Sequence, residues 1–478
     1  MLKKTMTAIA VSSLFVGVAM AAPQTVVTVE TVAPAPATEP APAVVATVDV
    51  PMVKDLNTPA KKVESNAAQG CTDGDDCIKQ TYQAFMRKNG WPMSGKDAKG
   101  KSFYFGSASV DVSRTNADYG KYLSLAYTQA YMKAVNTFSR KINVDVQNEV
   151  LTKAFLDAST NARDFPTLTE EGGRSDIEAL WLKVSKFTQA RLDKGLRELG
   201  VDPKQFDAVD PDQKKKIFED ALTNKTIERT SIALGGINVV GNFVHEGETS
   251  QVGVVIAYSP SIEGLAQSLR MGKKPAIQAV GQPLDVQIPL DGKVLMDMYG
   301  PRLMIDENGP AIVSFAFWSP EPAPTPQLRS RYRELAMNQA RSEATAQIAR
   351  FLMLSYSANS EAIKGKASSI DAVKSGKDGS VTDKIANAIT DITSEDSIAR
   401  TSATLTGLNT VREWKANLDS GTELVGVVMS YSFADIQYAK SITGQQATQE
   451  ATPSQPQQPV DFGTSTREST IKSSIDVF

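Results

Sequence analysis

The fold is decided by the segment Arg229-Thr-Ser-Ile-Ala-Leu-Gly-Gly-Ile-Asn-Val-Val240, because the chain contains it in a second form. That second form is Arg400-Thr-Ser-Ala-Thr-Leu-Thr-Gly-Leu-Asn-Thr-Val411. Each form leads into the pattern Val-Gly-Val-Val-x-x-Tyr-Ser, at residues 252–259 and 425–432. Self-similarity between distant segments is typical of duplicated structural units. The sequence therefore predicts two tandem copies of one domain.

The repeat continues upstream as a strand followed by an alanine-rich helix. In copy one the predicted strand is Ser102–Val110, whose aromatic residues suit a pleated surface. Alanine then recurs at every fourth position from Ala126 to Ala134, and again from Ala336 to Ala344 in copy two. Residues four apart share one face of a helix, and alanine there lets the helix approach a sheet closely. The predicted fold class is α+β, with two tandem homologous domains, each a small, mostly antiparallel sheet packed on an Ala-rich helix.

Each copy closes with two predicted strands, and copy one carries the longer middle segment. Val252–Tyr258 is apolar on both alternating faces, which indicates a central strand covered on both sides. The extra length of copy one includes an amphipathic run, Asp176–Leu199. A further helix is predicted after Asp210-Pro211, because a capping residue followed by proline is typical of a helix start.

The composition and the repeat divide the chain into seven segments. They are a signal peptide (1–21), a spacer rich in Pro, Ala and Val (22–70), a cysteine-bracketed loop with a short helix (71–100), copy one with its helical insertion (101–260), a β-rich connector (261–310), copy two (311–435) and a C-terminal tail (444–478). The spacer and the tail are predicted to be disordered, because few large apolar side chains are present to offset the entropy of ordering. Within the connector, strands are predicted at 284–288 and 293–299.

The N-terminus predicts an exported protein. Lys3 and Lys4 precede an uncharged apolar run from Met6 to Met20, and small residues stand at the expected cleavage site. This order is typical of a secretory signal peptide. The periplasm is the expected compartment, with the cell surface or the medium as alternatives. No later run reaches the roughly 18 to 20 apolar residues that a membrane helix needs. We therefore expect no transmembrane segment in the mature protein. No cysteine stands at the cleavage site, so we expect no lipid anchor either.

Cys71 and Cys77 are the only cysteines of the chain. Cysteines of exported proteins are usually oxidised, so a local disulfide is predicted. The carboxylates Asp73, Asp75 and Asp76 lie between them. The order of calcium ligands in an EF-hand is absent, and we interpret these carboxylates as solvated residues of a turn rather than as a metal site.

The order of elements in each copy resembles a known family. In copy two the residues that carry the resemblance are Leu335–Arg350, with Ala-x-x-Gln-Ala-x-x-x-Ala, then Leu405–Leu408, Trp414 and Val425–Tyr431. They resemble the domain of small bacterial surface lipoproteins that also forms the N-terminal part of the flagellar H-ring protein FlgT. Copy one has Phe243 in place of Trp414, and the acylated cysteine of the lipoproteins is absent. The resemblance implies an α+β envelope domain used for assembly or surface interaction rather than for catalysis.

Two segments have the appearance of chemical motifs. Gly95-Lys-Asp-Ala-Lys-Gly-Lys-Ser102 satisfies the phosphate-loop pattern, but that loop requires a strand before it and a helix after it. A strand is predicted after it here, so we interpret the segment as a flexible basic loop. His245 is the only histidine, and a lone histidine cannot build the His-rich metal sites of hydrolases. We interpret it as part of a surface turn between paired strands.

Three aromatic residues are candidates for an interaction surface. Tyr127 and Tyr131 lie on the first Ala-rich helix, where copy two has Met337 and Arg341, and Trp181 lies in the insertion of copy one. Aromatic residues at helical spacing belong to the core more often than to a binding surface. The sequence leaves both interpretations open.

The expected function is that of a non-enzymatic, exported structural or protein-interaction module of the cell envelope. No catalytic, cofactor-binding or metal-binding residues are predicted, and no cofactor is expected. The partner is expected to be an envelope protein or a second copy of the chain. Nucleic acid is not expected, because the net charge is −3 and no basic patch is present. The alternatives are a periplasmic binding protein with its ligand in a cleft between the copies, and an unrecognised hydrolase.

Overall fold

The computed structural model of the chain describes residues 74–155, 173–247, 250–277, 279–352, 405–442 and 465–468. Its helices are α1 (Gly74–Lys88), α2 (Tyr119–Phe155), α3 (Gly173–Val184), α4 (Gln189–Glu198), α5 (Pro203–Asp207), α6 (Pro211–Leu234), α7 (Pro260–Arg270), α8 (Leu284–Gln287), α9 (Gly292–Leu295), α10 (Pro326–Leu352) and α11 (Phe433–Ile442). Its strands are β1 (Ser102–Ser109), β2 (Asn238–Glu246), β3 (Gln251–Tyr258), β4 (Gly300–Asp306), β5 (Gly309–Trp318), β6 (Asn409–Asn417), β7 (Glu423–Ser432) and β8 (Ser465–Glu468). The predicted signal peptide and spacer lie outside the described residues.

The strands form two antiparallel sheets. Sheet A has the strand order β1-β3-β2-β8, and sheet B has the order β4-β5-β7-β6. Neighbouring strands run antiparallel in both sheets. The predicted α+β class and the antiparallel character of the sheets are therefore confirmed.

Three strands of sheet A pair in the same way as three strands of sheet B. The order β1-β3-β2 in sheet A is matched by β5-β7-β6 in sheet B. The register also matches, because Ser102 lies opposite Tyr258 and Ile312 lies opposite Tyr431. These are positions that the sequence repeat makes equivalent. A β-bulge interrupts both β2 and β6 at equivalent residues, after 239 and after 410, so the two sheets are bent at the same point.

The repeated glycine before β2 and β6 meets the same two requirements in each copy. Gly236 and Gly407 have φ values of 88° and 91°, a region that residues with a side chain rarely adopt. Each glycine also lies against the backbone of the helix that follows the last repeated strand. A Cβ atom would lie 2.6 Å from the carbonyl oxygen of Ile262 in copy one and 2.9 Å from that of Asp435 in copy two. Any other residue would be both strained and in collision.

The serine that ends the second repeated pattern begins a helix in each copy. The Ser259 hydroxyl accepts a hydrogen bond of 3.3 Å from the Ile262 amide in α7. The Ser432 hydroxyl accepts one of 3.1 Å from the Asp435 amide in α11. Each cap satisfies an amide that has no partner within its own helix. The repeated residues thus determine where these helices start.

Helix α2 packs closely on sheet A, as the alanine spacing predicts. Ala126, Ala130 and Ala134 are buried. A Cβ atom on Gly106 of β1 would lie only 2.1 Å from the carbonyl oxygen of Ala130, so the helix and strand backbones are in direct contact. The equivalent alanines of α10 are buried, and α10 packs on β5 and β7.

Strand β3 is covered on both faces, as predicted for a central strand. Helix α2 contacts one face, and α1 packs on the other through Ile78 and Phe85. A Cβ atom on Gly253 would lie 2.9 Å from the Ile78 side chain. The short helix predicted after the cysteines is therefore part of the core of sheet A.

The insertion of copy one packs around the C-terminal end of α2. The Phe218 ring lies 6.0 Å from the Phe155 ring and 5.5 Å from the Trp181 ring. The Asp210 carboxylate accepts hydrogen bonds from the amides at the start of α6, which confirms the predicted cap. The amphipathic run 176–199 forms two helices, α3 and α4, rather than a single one.

The connector differs from the predicted β-rich segment. The strands predicted at 284–288 and 293–299 are the short helices α8 and α9. The Asp291 carboxylate accepts a hydrogen bond of 2.9 Å from the Lys293 amide and starts α9, and short apolar runs do not distinguish a strand from a buried helix. Residues 261–310 also contain most of α7. Strand β4 pairs with β5, so this part of the connector belongs to sheet B.

The tail also differs from the prediction of disorder over 444–478. Residues 465–468 form β8, which pairs with the outer edge of β2. An unpaired strand edge offers backbone donors and acceptors whatever the side chains are. Composition alone therefore could not reveal this strand.

Candidate functional site

Sheets A and B are joined by aromatic side chains at a buried contact. The Tyr127 ring of α2 stacks on the Tyr299 ring just before β4, with centroids 5.1 Å apart and planes at 8°. Phe317 of β5 lies edge-on, 6.2 Å from each tyrosine ring. We call this region, defined by Tyr127, Thr128, Tyr299, Phe317 and Glu343, the inter-sheet junction.

A polar network surrounds these rings. The Glu343 Oε1 atom accepts hydrogen bonds from the Tyr299 hydroxyl at 2.8 Å, the Arg350 Nη1 at 3.1 Å and the Gln347 Nε2 at 3.3 Å. The Tyr299 hydroxyl also lies 2.6 Å from the Thr128 hydroxyl. Because a carboxylate only accepts, Tyr299 donates to Glu343 and Thr128 donates to Tyr299. The network therefore links α2, α10 and the start of sheet B.

Asn242 and Arg302 tie the two sheets at a second point. The Asn242 Oδ1 atom of β2 accepts hydrogen bonds from the Arg302 guanidinium of β4 and from the Tyr299 amide, the latter at 3.3 Å. The Arg302 side chain is fully buried. Gly300 has a φ of 93°, and a Cβ atom there would lie 2.5 Å from a methyl group of Val239. Strand β4 is thus in close contact with β2, although the two strands belong to different sheets.

Burial and the charge of Glu343 together set the protonation states of the junction. It raises the pKa of Tyr299 well above the usual value, and the Glu343 charge raises it further. Burial also raises the pKa of Tyr131 to about 12. Burial alone would lower the pKa of Arg350, but the charge of Glu343 outweighs it and the pKa is raised. At neutral pH the junction therefore holds a charged arginine beside a carboxylate and neutral tyrosine hydroxyls. These groups bond to one another and thereby join α2, α10 and the start of sheet B.

The tyrosines predicted as an interaction surface belong to the core instead. Tyr127 and Tyr131 are both buried, because α2 presents that face to the sheets. This burial favours the core interpretation of the two that the sequence left open. Trp181 is half-buried, with its ring 6.2 Å from Phe206 and 5.5 Å from Phe218. The Trp181 ring packs within the insertion and is not an exposed anchor residue.

The cysteine segment is described only in part. Cys77 is buried in the first turns of α1, whereas Cys71 and Asp73 lie outside the described residues, so the disulfide stays a prediction. Asp75 pairs with Lys79 at 2.6 Å on the helix surface. Among the described residues, no group of three or more His, Cys, Asp or Glu side chains is placed to hold a metal ion.

The two apparent motifs are placed by the structure as parts of sheet A. Gly95–Ser102 leads into β1 rather than into a helix, and Lys101 is buried, not part of a flexible loop. The Asp97 carboxylate accepts the Lys101 amide at 2.8 Å and shapes this turn. His245 is a residue of β2 opposite Gln251, next to the hairpin turn. Burial lowers the pKa of His245.

Arg229, the first residue of the repeated segment, belongs to a second charged cluster. Arg229 lies 2.7 Å from Glu263 and 3.8 Å from Glu149, and the Tyr258 hydroxyl donates to Glu263 at 2.7 Å. The cluster connects α2, α6, α7 and β3. Its equivalent in copy two would involve Arg400, which lies outside the described residues.

A shallow pocket with a volume of 210 Å³ lies on the copy-two side of the fold. Its lining includes Lys274, Val280, Glu307 and Phe433, and none of its lining residues belongs to the inter-sheet junction. Ligand pockets are usually larger, at about 300–1,000 Å³. No described helix has the length and apolar character needed to cross a membrane.

The polar residues Glu343, Arg350, Tyr299, Asn242 and Arg302 lie in the junction or beside it, and the sequence did not single them out. One feature of the sequence could have indicated part of this network. Glu343 and Arg350 are seven residues apart, about two helical turns, so they face the same side of α10. Nothing in the spacing places Tyr299 or Arg302 beside them, because those residues come from the connector.

Comparison with known proteins gives limited matches. Residues 177–271, from α3 to the end of α7, match a family described as a domain of unknown function, DUF6844. No curated protein matches the chain. A similar solved structure is the crystal structure of the hypothetical protein FTT1539c from Francisella tularensis, with a TM-score of 0.46 and 19% sequence identity. The similarity covers 80% of this chain and 99% of that one.

Proposed function

We propose that this chain is a non-enzymatic structural and protein-interaction module of the bacterial cell envelope, built from two copies of one α+β domain. The observation that carries the proposal is what the repeated residues do. Gly236 and Gly407 allow the same close backbone contact, and Ser259 and Ser432 start the same helix. The repeated motif thus serves backbone geometry, and none of these four residues presents a reactive group to a cleft.

The packing of the inter-sheet junction favours this proposal over a ligand-binding protein. A ligand cleft between the copies would need an open space lined by convergent polar groups. Instead, Tyr127 and Tyr299 stack on each other, and Glu343 is occupied by protein donors. In the described part of the junction, side chains fill the place where such a ligand would bind.

The envelope location rests on the sequence. The charged, apolar and small-residue order of the first 21 residues is that of a secretory signal peptide. The resemblance to envelope lipoproteins and to the N-terminal domain of FlgT supports the same compartment. Copy two presents the matching residues Leu335–Arg350 as part of α10.

The insertion of copy one offers a candidate contact surface for a partner. Leu182 of α3 is 60% exposed, next to the half-buried Trp181. The insertion lengthens copy one relative to copy two, so it can give one copy a contact that the other lacks. Copy two has an exposed leucine of similar accessibility, Leu335, which is 56% exposed on α10.

Site-specific photo-crosslinking in intact source cells tests the proposal. A photo-reactive amino acid replaces Leu182 in one strain and Leu335 in another, and the crosslinked products are identified by mass spectrometry. We expect a reproducible envelope protein, or a second copy of the chain, to crosslink at Leu182 and not at Leu335. The proposal fails if neither position captures an envelope protein or a second copy. It also fails if the purified protein turns over a substrate in a screen of hydrolase substrates.

A further inference from the structure

The outer edge of β2 is completed by a strand from the far end of the chain. Residues 465–468 of β8 pair antiparallel with Phe243–Glu246 of β2. Strand β2 belongs to copy one, whereas β8 follows copy two in the chain. Residues 443–464 separate α11 from β8. The strand that completes sheet A therefore does not come from the adjoining part of the sequence.

Backbone pairing over four residues defines this contact. Phe243 lies opposite Glu468, and Glu246 lies opposite Ser465. A sheet edge accepts any extended segment that can offer backbone hydrogen bonds in register. The same tail from another molecule of this chain presents the same backbone and the same sequence, so the edge cannot distinguish it from its own.

The length of the intervening segment permits pairing with a neighbour. A chain as long as 443–464 reaches roughly 70–80 Å when fully extended. A folded chain of this size has a radius of gyration of about 22 Å. The tail of one molecule can therefore reach the β2 edge of a molecule in contact with it.

We propose that β8 exchanges between two copies of this chain, so that the tail strand of each molecule pairs with β2 of the other. The inference rests on the proposed function, because it specifies how the interaction module associates with itself. Each molecule carries one edge and one tail, so reciprocal exchange closes a two-fold symmetric dimer. By the general arithmetic of flexible linkers, a connection as long as 443–464 gives the tail an effective concentration of the order of 1 mM at its own edge. Exchange is therefore expected to increase as the protein concentration approaches that value.

Cysteine crosslinking between two full-length variants tests the exchange. His245 lies opposite Thr466 in the register, and directly opposite positions of an antiparallel strand pair are close enough for two cysteines to form a disulfide. A small residue is tolerated at 245, since the equivalent position in copy two is Ala416. One protein carries H245C, and the other carries T466C and a tag that changes its mass. A disulfide between the two is favoured when the tail of one pairs with the edge of the other, because the pairing holds the two thiols together.

The matched control replaces T466C by T470C, which shifts the tail cysteine four residues along the chain. Wild-type protein mixed with each variant measures any reaction with Cys71 and Cys77. We expect the tagged heterodimer to form roughly tenfold more from H245C and T466C than from H245C and T470C, because only the first pair is held together at the edge. The yield should also rise with protein concentration.

A third protein, the double variant H245C/T466C, separates the remaining outcomes. If it crosslinks only within the monomer at every concentration up to about 1 mM, the tail is bound to its own edge and the exchange proposal is overturned. If it does not crosslink at all, β8 does not occupy the β2 edge and the proposal is also overturned. If the exchange fails while Leu182 still crosslinks to an envelope protein in cells, the proposed function stands and only this inference falls.

Discussion

At the scale of single residues, Glu343 joins α10 to the residue that precedes β4. Its carboxylate accepts hydrogen bonds from Arg350 and Gln347 on its own helix and from Tyr299 ahead of β4. The Arg350 side chain is 4% exposed, so its charge has little access to water. A buried charge without a counter-charge is costly. The stability of the junction should therefore depend on this one carboxylate.

We expect Glu343→Gln to lower the free energy of unfolding by about 3 kcal/mol, because it leaves the Arg350 charge buried without a counter-charge. The matched control is Glu413→Gln. Glu413 pairs with Arg341 of the same helix, but its side chain is 42% exposed, and an exposed pair contributes at most about 1 kcal/mol. Urea-induced unfolding followed by circular dichroism measures both. Equal losses in the two variants would show that the junction network does not stabilise the fold.

The tyrosines of the core predict a loss of stability at alkaline pH. Burial raises the pKa of Tyr131 to about 12 from an ordinary value of 10.0. The unfolded chain therefore loses this proton first, and the stability contributed by Tyr131 is complete below pH 10.0 and is lost as the pH rises towards 12. Tyr131→Phe should reduce the fall in unfolding free energy between pH 9 and 12 by roughly 2–3 kcal/mol.

Urea unfolding at a series of pH values measures this effect. Tyr438→Phe is the control, because Tyr438 is 70% exposed. Identical pH profiles for the wild-type protein and Tyr131→Phe would contradict the prediction.

At the scale of elements, the two repeated segments differ in sequence but build the same local structure. Each has a glycine pressed against the helix that follows the last repeated strand, and each has a serine cap on that helix. A helix can approach a strand turn this closely only where no Cβ atom intervenes. The spacing between the repeated segments is therefore fixed by backbone contact.

We expect Gly236→Ala to lower the free energy of unfolding by about 3 kcal/mol or more, because the left-handed backbone is strained and the Cβ atom collides with the α7 backbone. Gly407→Ala should have the same sign and a similar size, since its surroundings are equivalent. Gly264→Ala in α7 is the matched control. No atom lies within 4 Å of its added Cβ, and alanine in a helix should be more stable by about 0.5–1 kcal/mol. Denaturant-induced unfolding measures the free energy of unfolding of the three variants. A Gly236→Ala protein as stable as the wild type would disprove the close contact.

At the scale of the whole molecule, the junction predicts that the two sheets unfold together. Tyr127, Tyr299 and Phe317 pack across the boundary, and Arg302 donates a hydrogen bond to Asn242 at the second point that ties the sheets. A boundary this well packed couples the two halves energetically, and coupled halves give coincident transitions.

We expect a single unfolding transition when the tryptophans of each half are followed separately, with Trp181 reporting on copy one and Trp414 on sheet B. Two variants provide the two signals, one with Trp181 and one with Trp414 as the single tryptophan left of the four in the chain. Tyr299→Leu removes the ring stacking and the hydrogen bonds to Thr128 and Glu343, so it should separate the two transitions. Two transitions already present in the otherwise unchanged protein would contradict a coupled junction.

The sequence by itself determined the α+β class, the Ala-rich helices on their sheets and the cap at Asp210. These features depend on residues that lie close together in the chain or recur at fixed spacing, so local periodicity records them. The apolar pattern wrongly predicted strands where α8 and α9 lie, because a four-residue helix is too short to show the helical period in the sequence. Only the tertiary structure decided that Tyr127 is core, that Glu343 meets Tyr299, and that β8 completes sheet A. Those contacts join residues far apart in the chain, and they are selected by which surfaces remain available after the local elements have formed.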